Sequence, residues 1–142
     1  MRHHTVTATF SAPPDEVFAY LANIDNLPNW ATDFARELKL VDGRHKVVNG
    51  LGEFFFEIDA DRESGVIDML AGPRADALQL FPTRVVPLAE GGSAFTFTMF
   101  QAPGMPDRLF ESQYRSLQRE FENIRARFAG ETSPAGRPAE AG

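Results

Sequence analysis

Residues 52–61, GEFFFEIDAD, set Glu53, Glu57, Asp59 and Asp61 among apolar side chains. Carboxylates that converge can bind a divalent cation or exchange a proton. In an extended strand successive side chains point to opposite faces. Phe54, Phe56, Ile58 and Ala60 then share one face, and Glu53, Phe55, Glu57, Asp59 and Asp61 share the other. Neighbours along one face lie about 6.6 Å apart, twice the strand rise, so the row holds an ion only if other strands add ligands. The apolar set is expected inside and the carboxylates in solvent. A metal or acid/base site is one alternative, and an interaction surface that includes Phe55 is another.

Arg36 is the next candidate. In DFARELKL the apolar Phe34, Leu38 and Leu40 share its parity, so if they face inward Arg36 does too. A buried guanidinium needs a partner. Asp68 in GVIDML supplies one if it shares the inner face with Val66 and Leu70. In the other register Ile67 and Met69 are inside and Asp68 is outside. The alternative for Arg36 is a side chain that snorkels to the rim or forms a structural ion pair. Arg84 lies in FPTRVV, where Pro82 can shift the register, and both directions stay open. His45 reads as a hairpin-edge residue before it reads as a base. Nucleophilic catalysis finds little support. The chain has no Cys, no Gly-x-Ser-x-Gly elbow and no Gly-rich phosphate loop. His3 and His4 sit together at the N-terminus, where they suggest neither a triad member nor a metal site.

The elements that position these residues follow from periodicity. HHTVTATF, residues 3–10, alternates as a half-buried strand. In SAPPDEVFAYLANI, Pro14 suits the first position of a helix, and Asp15 and Glu16 suit its positive end. Asn23 to Trp30, broken by Pro28, predicts a second, very short helix or turn. From Asp33 the period is two for about seventy residues, cut by turn signals such as Asp42-Gly43 and Asn49-Gly50. The turns separate six further strands, seven in all with the first, joined as antiparallel neighbours. Pro82 and Pro87 predict a bulge or break in the strand before Gly91-Gly92. In MPDRLFESQYRSLQREFENIRARFAG, the residues Phe110, Tyr114, Leu117, Phe121, Ile124 and Phe128 form one apolar stripe on a long helix. Pro106 and Asp107 open that helix and Gly130 stops it. Residues 131–142 have no apolar periodicity and are expected to be a disordered tail.

A chain of 142 residues is most simply one domain, here 1–130, followed by that tail. Thirteen Phe require an apolar interior, and so many rings can line a pocket as well as fill a core. The net charge of −6 weighs against nucleic acid and against an anionic membrane surface. No apolar run is long enough for a signal peptide or a membrane span, which leads to the expectation of a soluble, cytoplasmic protein. The oligomeric state stays open, a dimer included.

The opening TVTATFSAPPDEVFAYLANIDNLPNWATDF, the hairpin region with its DG and GVID, and the closing LQREFENIRARF together resemble the START/Bet v 1 (SRPBCC) superfamily. More narrowly they resemble bacterial proteins of the polyketide cyclase/dehydrase or lipid-transport type. The resemblance spans roughly residues 3–129. It implies an α+β helix-grip fold, in which a curved antiparallel sheet wraps a long C-terminal helix around a mainly apolar cavity. The two short helices close one end. The implied partner is a hydrophobic or aromatic small molecule, with no cofactor and no metal. The superfamily has no shared catalytic motif, so no catalytic residue carries over.

On that fold Phe54, Phe56 and Ile58 are expected to face the helix, as are Phe97 and Met99 with Phe95. Phe110 and Tyr114, near the helix start, are candidates to line the cavity, with the Tyr hydroxyl as a polar tip. Trp30 reads as a core anchor or as a wall of the entrance, and the two are compatible. Arg36 becomes a candidate anchor for a ligand carboxylate or phenol oxygen, and Asp68 and Arg84 candidate cavity residues. Three readings of function result. The first is a binding module. The second is a cyclase or dehydratase in which Arg36, Asp68 or Tyr114 polarises a carbonyl or moves a proton. The third is an interaction protein whose cavity has filled.

Overall fold

The threonine–apolar alternation of residues 3–10 produces β1 (His3–Phe10), with Ala8 and Phe10 buried and the threonines exposed. A computed structural model describes residues 1–129; the expected helix stop at Gly130 and the tail 131–142 lie outside the described residues. Pro14 opens α1 (Pro14–Leu21), which buries Val17, Phe18 and Leu21. A single 3-10 turn (Ile24–Asn26), capped by the Asn23 side chain, leads into α2 (Leu27–Trp30).

The period-two region forms β2 (Glu37–Val41), β3 (Arg44–Asn49), β4 (Gly52–Asp61), β5 (Val66–Gly72), β6 (Gln79–Phe81), β7 (Thr83–Pro87) and β8 (Ser93–Phe100). Asp42 and Gly43 both take positive φ, as a tight two-residue hairpin turn requires. The expected seventh strand count becomes eight because the stretch before Gly91-Gly92 divides at Pro82. Pro82 has no N–H for a ladder. The chain uses it to pass from pairing with β5 in β6 to pairing with β8 in β7, and Thr98 donates to the Pro82 carbonyl. All pairings are antiparallel, in the order β1-β8-β7-β5-β4-β3-β2, with β6 alongside β5. The turn between β4 and β5 presses on β7: a Cβ at Gly65, where φ is +79°, would lie 2.1 Å from the Val85 carbonyl oxygen.

The last element, α3 (Asp107–Ala129), lays its stripe against the sheet. Phe110, Leu117, Phe121, Ile124 and Phe128 are buried, and Tyr114 is partly so. Phe121 stacks on Phe95 of β8 at 5.4 Å, and Trp30 meets Phe95 edge-on at 6.4 Å. Helix, sheet and the two short helices thus share one core. Among the described residues no helix is long and apolar enough to cross a membrane.

Candidate apolar binding face

The cross-strand register fixes which side chains face α3. Leu38, Val47 and Phe54 lie side by side on β2, β3 and β4. Ile58, Met69 and Phe81 do the same on β4, β5 and β6, as do Thr83, Phe97 and Val6 on β7, β8 and β1. On this inner face burial is uneven. Val47, Ile67, Met69 and Phe95 are at most 1% exposed. Phe34, Leu38, Phe54, Phe81, Phe97 and Met105 pack on the core and yet remain part-exposed. Rings contact across this region: Phe81 and Phe97 at 6.0 Å, Phe34 and Phe56 at 5.6 Å. The inner face is therefore closed in one part and open to water in another.

A groove of about 550 Å³ lies between residues 22–24 and the strands β3 and β4, at the end near Gly43. Ile24, His45, Phe56 and Ile58 contribute to its walls. His45 is part-exposed at the hairpin end, paired with Leu40 two residues after the Asp42-Gly43 turn. A wider depression of about 740 Å³ runs along the outside of α3 past Arg108 and Arg115, and no sheet residue lines it.

The acidic row of β4 is on the outer face. Glu53 bonds Lys39 at 2.8 Å, Glu57 pairs with Arg44, and Asp61 accepts from Ser64. The Lys39 ammonium holds the Glu53 carboxyl below its ordinary value. Phe55, on the same face, lies under the Lys46 ammonium at 4.7 Å and the Arg44 guanidinium at 5.4 Å. Glu53 and Glu57 are therefore held in exposed pairs, Glu57 with Arg44 of the neighbouring β3 and Glu53 with Lys39 of β2, one strand further, while Asp59 lies opposite Asp68 of β5.

Several expected site residues are where the pattern placed them. Phe54, Phe56, Ile58, Phe97 and Met99 face inward, and Phe110 is fully buried. Trp30, 2% exposed, is a core anchor at the end of α2, its indole edge-on to Phe95. Tyr114 is part-buried and stacks on His4 at 3.7 Å with the rings nearly parallel. His4 also meets Glu111 at 3.1 Å, and Arg2 bonds the same carboxylate at 2.6 Å. The N-terminal histidine thus ties β1 to α3.

Three expected groups lie elsewhere. Arg36 is exposed, because the turn that bonds Ala35 to Ala31 buries Ala35 instead and β2 begins only at Glu37. Its guanidinium reaches the rim beside Gly50. Asp68 takes the second register: Ile67 and Met69 are inside, and Asp68 sits opposite Asp59 on the outer face. Arg36 and Asp68 therefore form no pair. Arg84 is exposed, on the outer side, and donates to the Ser64 carbonyl at 3.1 Å.

One buried polar group had no place in the pattern reading. Glu120 is 4% exposed, beside the apolar stripe of α3. Its Oε2 accepts the backbone N–H of Asp33 at 3.0 Å and of Phe34 at 2.9 Å. Burial pushes its carboxyl up to about 7, although the two N–H donors pull the other way. Glu120 stands three residues after Leu117 and four before Ile124, so a helical projection places it next to the core. That spacing was the available signal.

No protein-family model matches the chain, and neither does any curated protein. Solved structures do. The Zhui aromatase/cyclase from Streptomyces sp. R1128 is 20% identical with a TM-score of 0.64, over 92% of each chain. Ara h 8.0201 is 18% identical with a TM-score of 0.61, over 91% of this chain and 98% of that one. A START superfamily protein from Mycobacterium smegmatis is 12% identical with a TM-score of 0.64, over 92% and 99%. These likenesses extend over nearly the whole of each chain, and the chain has a helix-grip fold, an antiparallel curved sheet with a long C-terminal helix.

Proposed function

We propose that the chain binds a hydrophobic or aromatic small molecule, lipid-like or polyketide-like, on the part-open inner face of its sheet. The observation that carries this is the uneven burial. Six large apolar side chains on the concave side, Phe34, Leu38, Phe54, Phe81, Phe97 and Met105, keep contact with water while their neighbours are sealed. A ligand that covered them would gain about 25 cal/mol per Å² of apolar surface, before the costs of association. Arg36 at the rim is the group to meet a carboxylate or phenol oxygen on such a ligand. The names of two solved relatives, an aromatase/cyclase and a START superfamily protein, are in keeping with an apolar ligand. The enzyme reading, in which Arg36, Asp68 or Tyr114 acts on a carbonyl or a proton, is the second choice, since Arg36 is exposed at the rim and Asp68 is on the outer face, which leaves Tyr114 packed on the core.

The test is fluorescence titration with anilinonaphthalene sulfonate, followed by competition with a long-chain fatty acid and with a polycyclic aromatic. Saturable binding that a competitor displaces, and that Phe54→Glu weakens at least tenfold, is the expected result. Binding that does not saturate, or that Phe54→Glu leaves unchanged, overturns the reading.

A further inference from the structure

The segment Trp30–Phe34 has an unusual set of attachments. It starts at the last residue of α2 and runs toward β2, with no helix or strand over residues 31–34. It carries Phe34, one of the part-exposed rings of the binding face. Side chains from outside the segment hold it at nearly every residue. Asn123 of α3 donates to the Trp30 carbonyl at 3.0 Å and approaches the Thr32 hydroxyl at 3.1 Å. Arg119 of α3 pairs with Asp33 at 2.8 Å. Asn49, at the end of β3, donates to the Phe34 carbonyl at 2.8 Å. The innermost attachment is the Glu120 carboxyl, which accepts two successive backbone N–H groups, those of Asp33 and Phe34.

We propose that residues 32–34 form a proton-controlled strap over the apolar face, latched to α3 by the buried carboxyl of Glu120. The inference rests on the binding reading for what the strap covers. The physical logic is one of differential solvation. With the strap down, Glu120 is sealed from water and the neutral carboxyl is favoured. With the strap lifted, the same carboxyl is hydrated and ionises in the ordinary range. Closing therefore takes up a proton, and loss of that proton favours opening.

The charges that face Glu120 are few. Asp33 on the strap favours the neutral acid, and Arg119 on its own helix favours the anion. Arg36, past the strap, acts on Asp33. Burial outweighs them, and the closed form keeps its proton up to about 7. The closed-to-open ratio is highest below the ordinary carboxylate range. It falls as pH rises from there to about 7 and is level above. The whole change is on the order of a hundredfold. Among the described residues the hydrogen bonds to this carboxyl come from the strap, from the N–H groups of Asp33 and Phe34.

Amide hydrogen exchange followed by NMR on the full chain between pH 5 and 8 reads the strap directly and needs no ligand. Rates are divided by the intrinsic rate at each pH. Protection at Asp33 and Phe34 is expected to fall tenfold to a hundredfold across that range while staying well below that of Phe95 in the centre of the sheet, which exchanges only through global unfolding. In Glu120→Gln the Asp33 and Phe34 profile is expected to be flat. A flat wild-type profile, parallel profiles in wild type and variant, or protection at Phe34 equal to that at Phe95 overturns the latch. If Glu120→Gln does not fold, the wild-type comparison of Phe34 with Phe95 still decides.

A second measurement separates this from the binding reading. Anilinonaphthalene sulfonate is expected to associate faster at pH 8 than at pH 5 in wild type, and at a pH-independent rate in Glu120→Gln. PH-independent association despite a responsive Phe34 amide overturns the strap as a cover. Absence of saturable probe binding at every pH overturns the binding reading, while the exchange result stands by itself on the latch.

Discussion

Phe95 and Phe97 allow the openness of the binding face to be measured without any ligand. Both project inward from β8, two residues apart, opposite Ala8 and Val6 of β1. Phe95 is 0% exposed, stacked on Phe121 and met edge-on by Trp30. Phe97 is part-exposed, with Phe121 edge-on at 6.4 Å and Phe81 tilted at 6.0 Å. Truncating a sealed Phe to Ala costs about 3–5 kcal/mol, because the lost transfer free energy is joined by the cavity left behind. Where water already reaches the ring, the transfer loss is partial and no dry cavity is created. Phe95→Ala is therefore expected to cost about 4 kcal/mol and Phe97→Ala about half as much. Urea unfolding followed by far-ultraviolet circular dichroism gives both values, provided the slopes agree with wild type. Equal losses above about 3 kcal/mol would refute the reasoning. They would mean that the region around Phe97 is as closed as that around Phe95, and that the concave face is a filled core with no room for a ligand.

Three further outcomes are expected. A buried acid whose folded value is raised stabilises the fold fully below its unfolded value, about 4.5, and loses that contribution as pH rises to about 7. Wild type should therefore lose up to about 3 kcal/mol between pH 4.5 and 8 relative to Glu120→Gln, and equal urea midpoints at every pH would remove Glu120 as the cause. Gly65→Ala should cost more than about 2 kcal/mol by thermal unfolding, since its Cβ would meet the Val85 carbonyl at 2.1 Å and its φ is positive; an unchanged melting temperature would mean that the β4–β5 turn is not pressed on β7. Arg36→Ala should weaken an anionic apolar probe severalfold and leave a neutral one and the stability unchanged; equal effects on both probes would remove Arg36 as an anchor.

Much of this architecture is legible in the residues. The alternation of β1, the Asp42-Gly43 turn and the α3 stripe each depend on local periodicity, and each element formed where its period predicted it. The inner face of β4 was readable for the same reason, since one parity is apolar and the other acidic. Arg36 was not readable, because parity holds only within a strand and β2 begins one residue after it. Asp68 was undecidable: VIDML is apolar on both parities, so only pairing with β4 chooses the face. The break at Pro82 was legible as a break, but which neighbour each half pairs with is a property of the whole sheet. Glu120 was overlooked because an isolated Glu beside an apolar stripe looks like an ordinary flank. Its partners are the backbone N–H groups of a segment almost ninety residues earlier, and no periodicity reports those.

The uneven burial also explains how such a chain can leave part of its interior open and still fold. In the last two turns of α3, Ile124 and Phe128 are at most 1% exposed, and Phe10, Val17, Phe18 and Leu21 share their core. That end supplies tight packing and does not need the rings of the binding face. On the outside of the sheet, the Lys39–Glu53 and Arg44–Glu57 pairs keep β2, β3 and β4 polar. The Arg44–Glu57 and Lys46–Glu53 pairs between the neighbouring strands β3 and β4 also favour the observed register over slipped ones. With the outer face polar and one end sealed, the part-exposed Phe and Met side chains of the concave side stand out as a surface that packing alone does not account for. Sealing them as tightly as Phe95 would add stability and, on the proposed binding reading, would take away the surface a ligand covers.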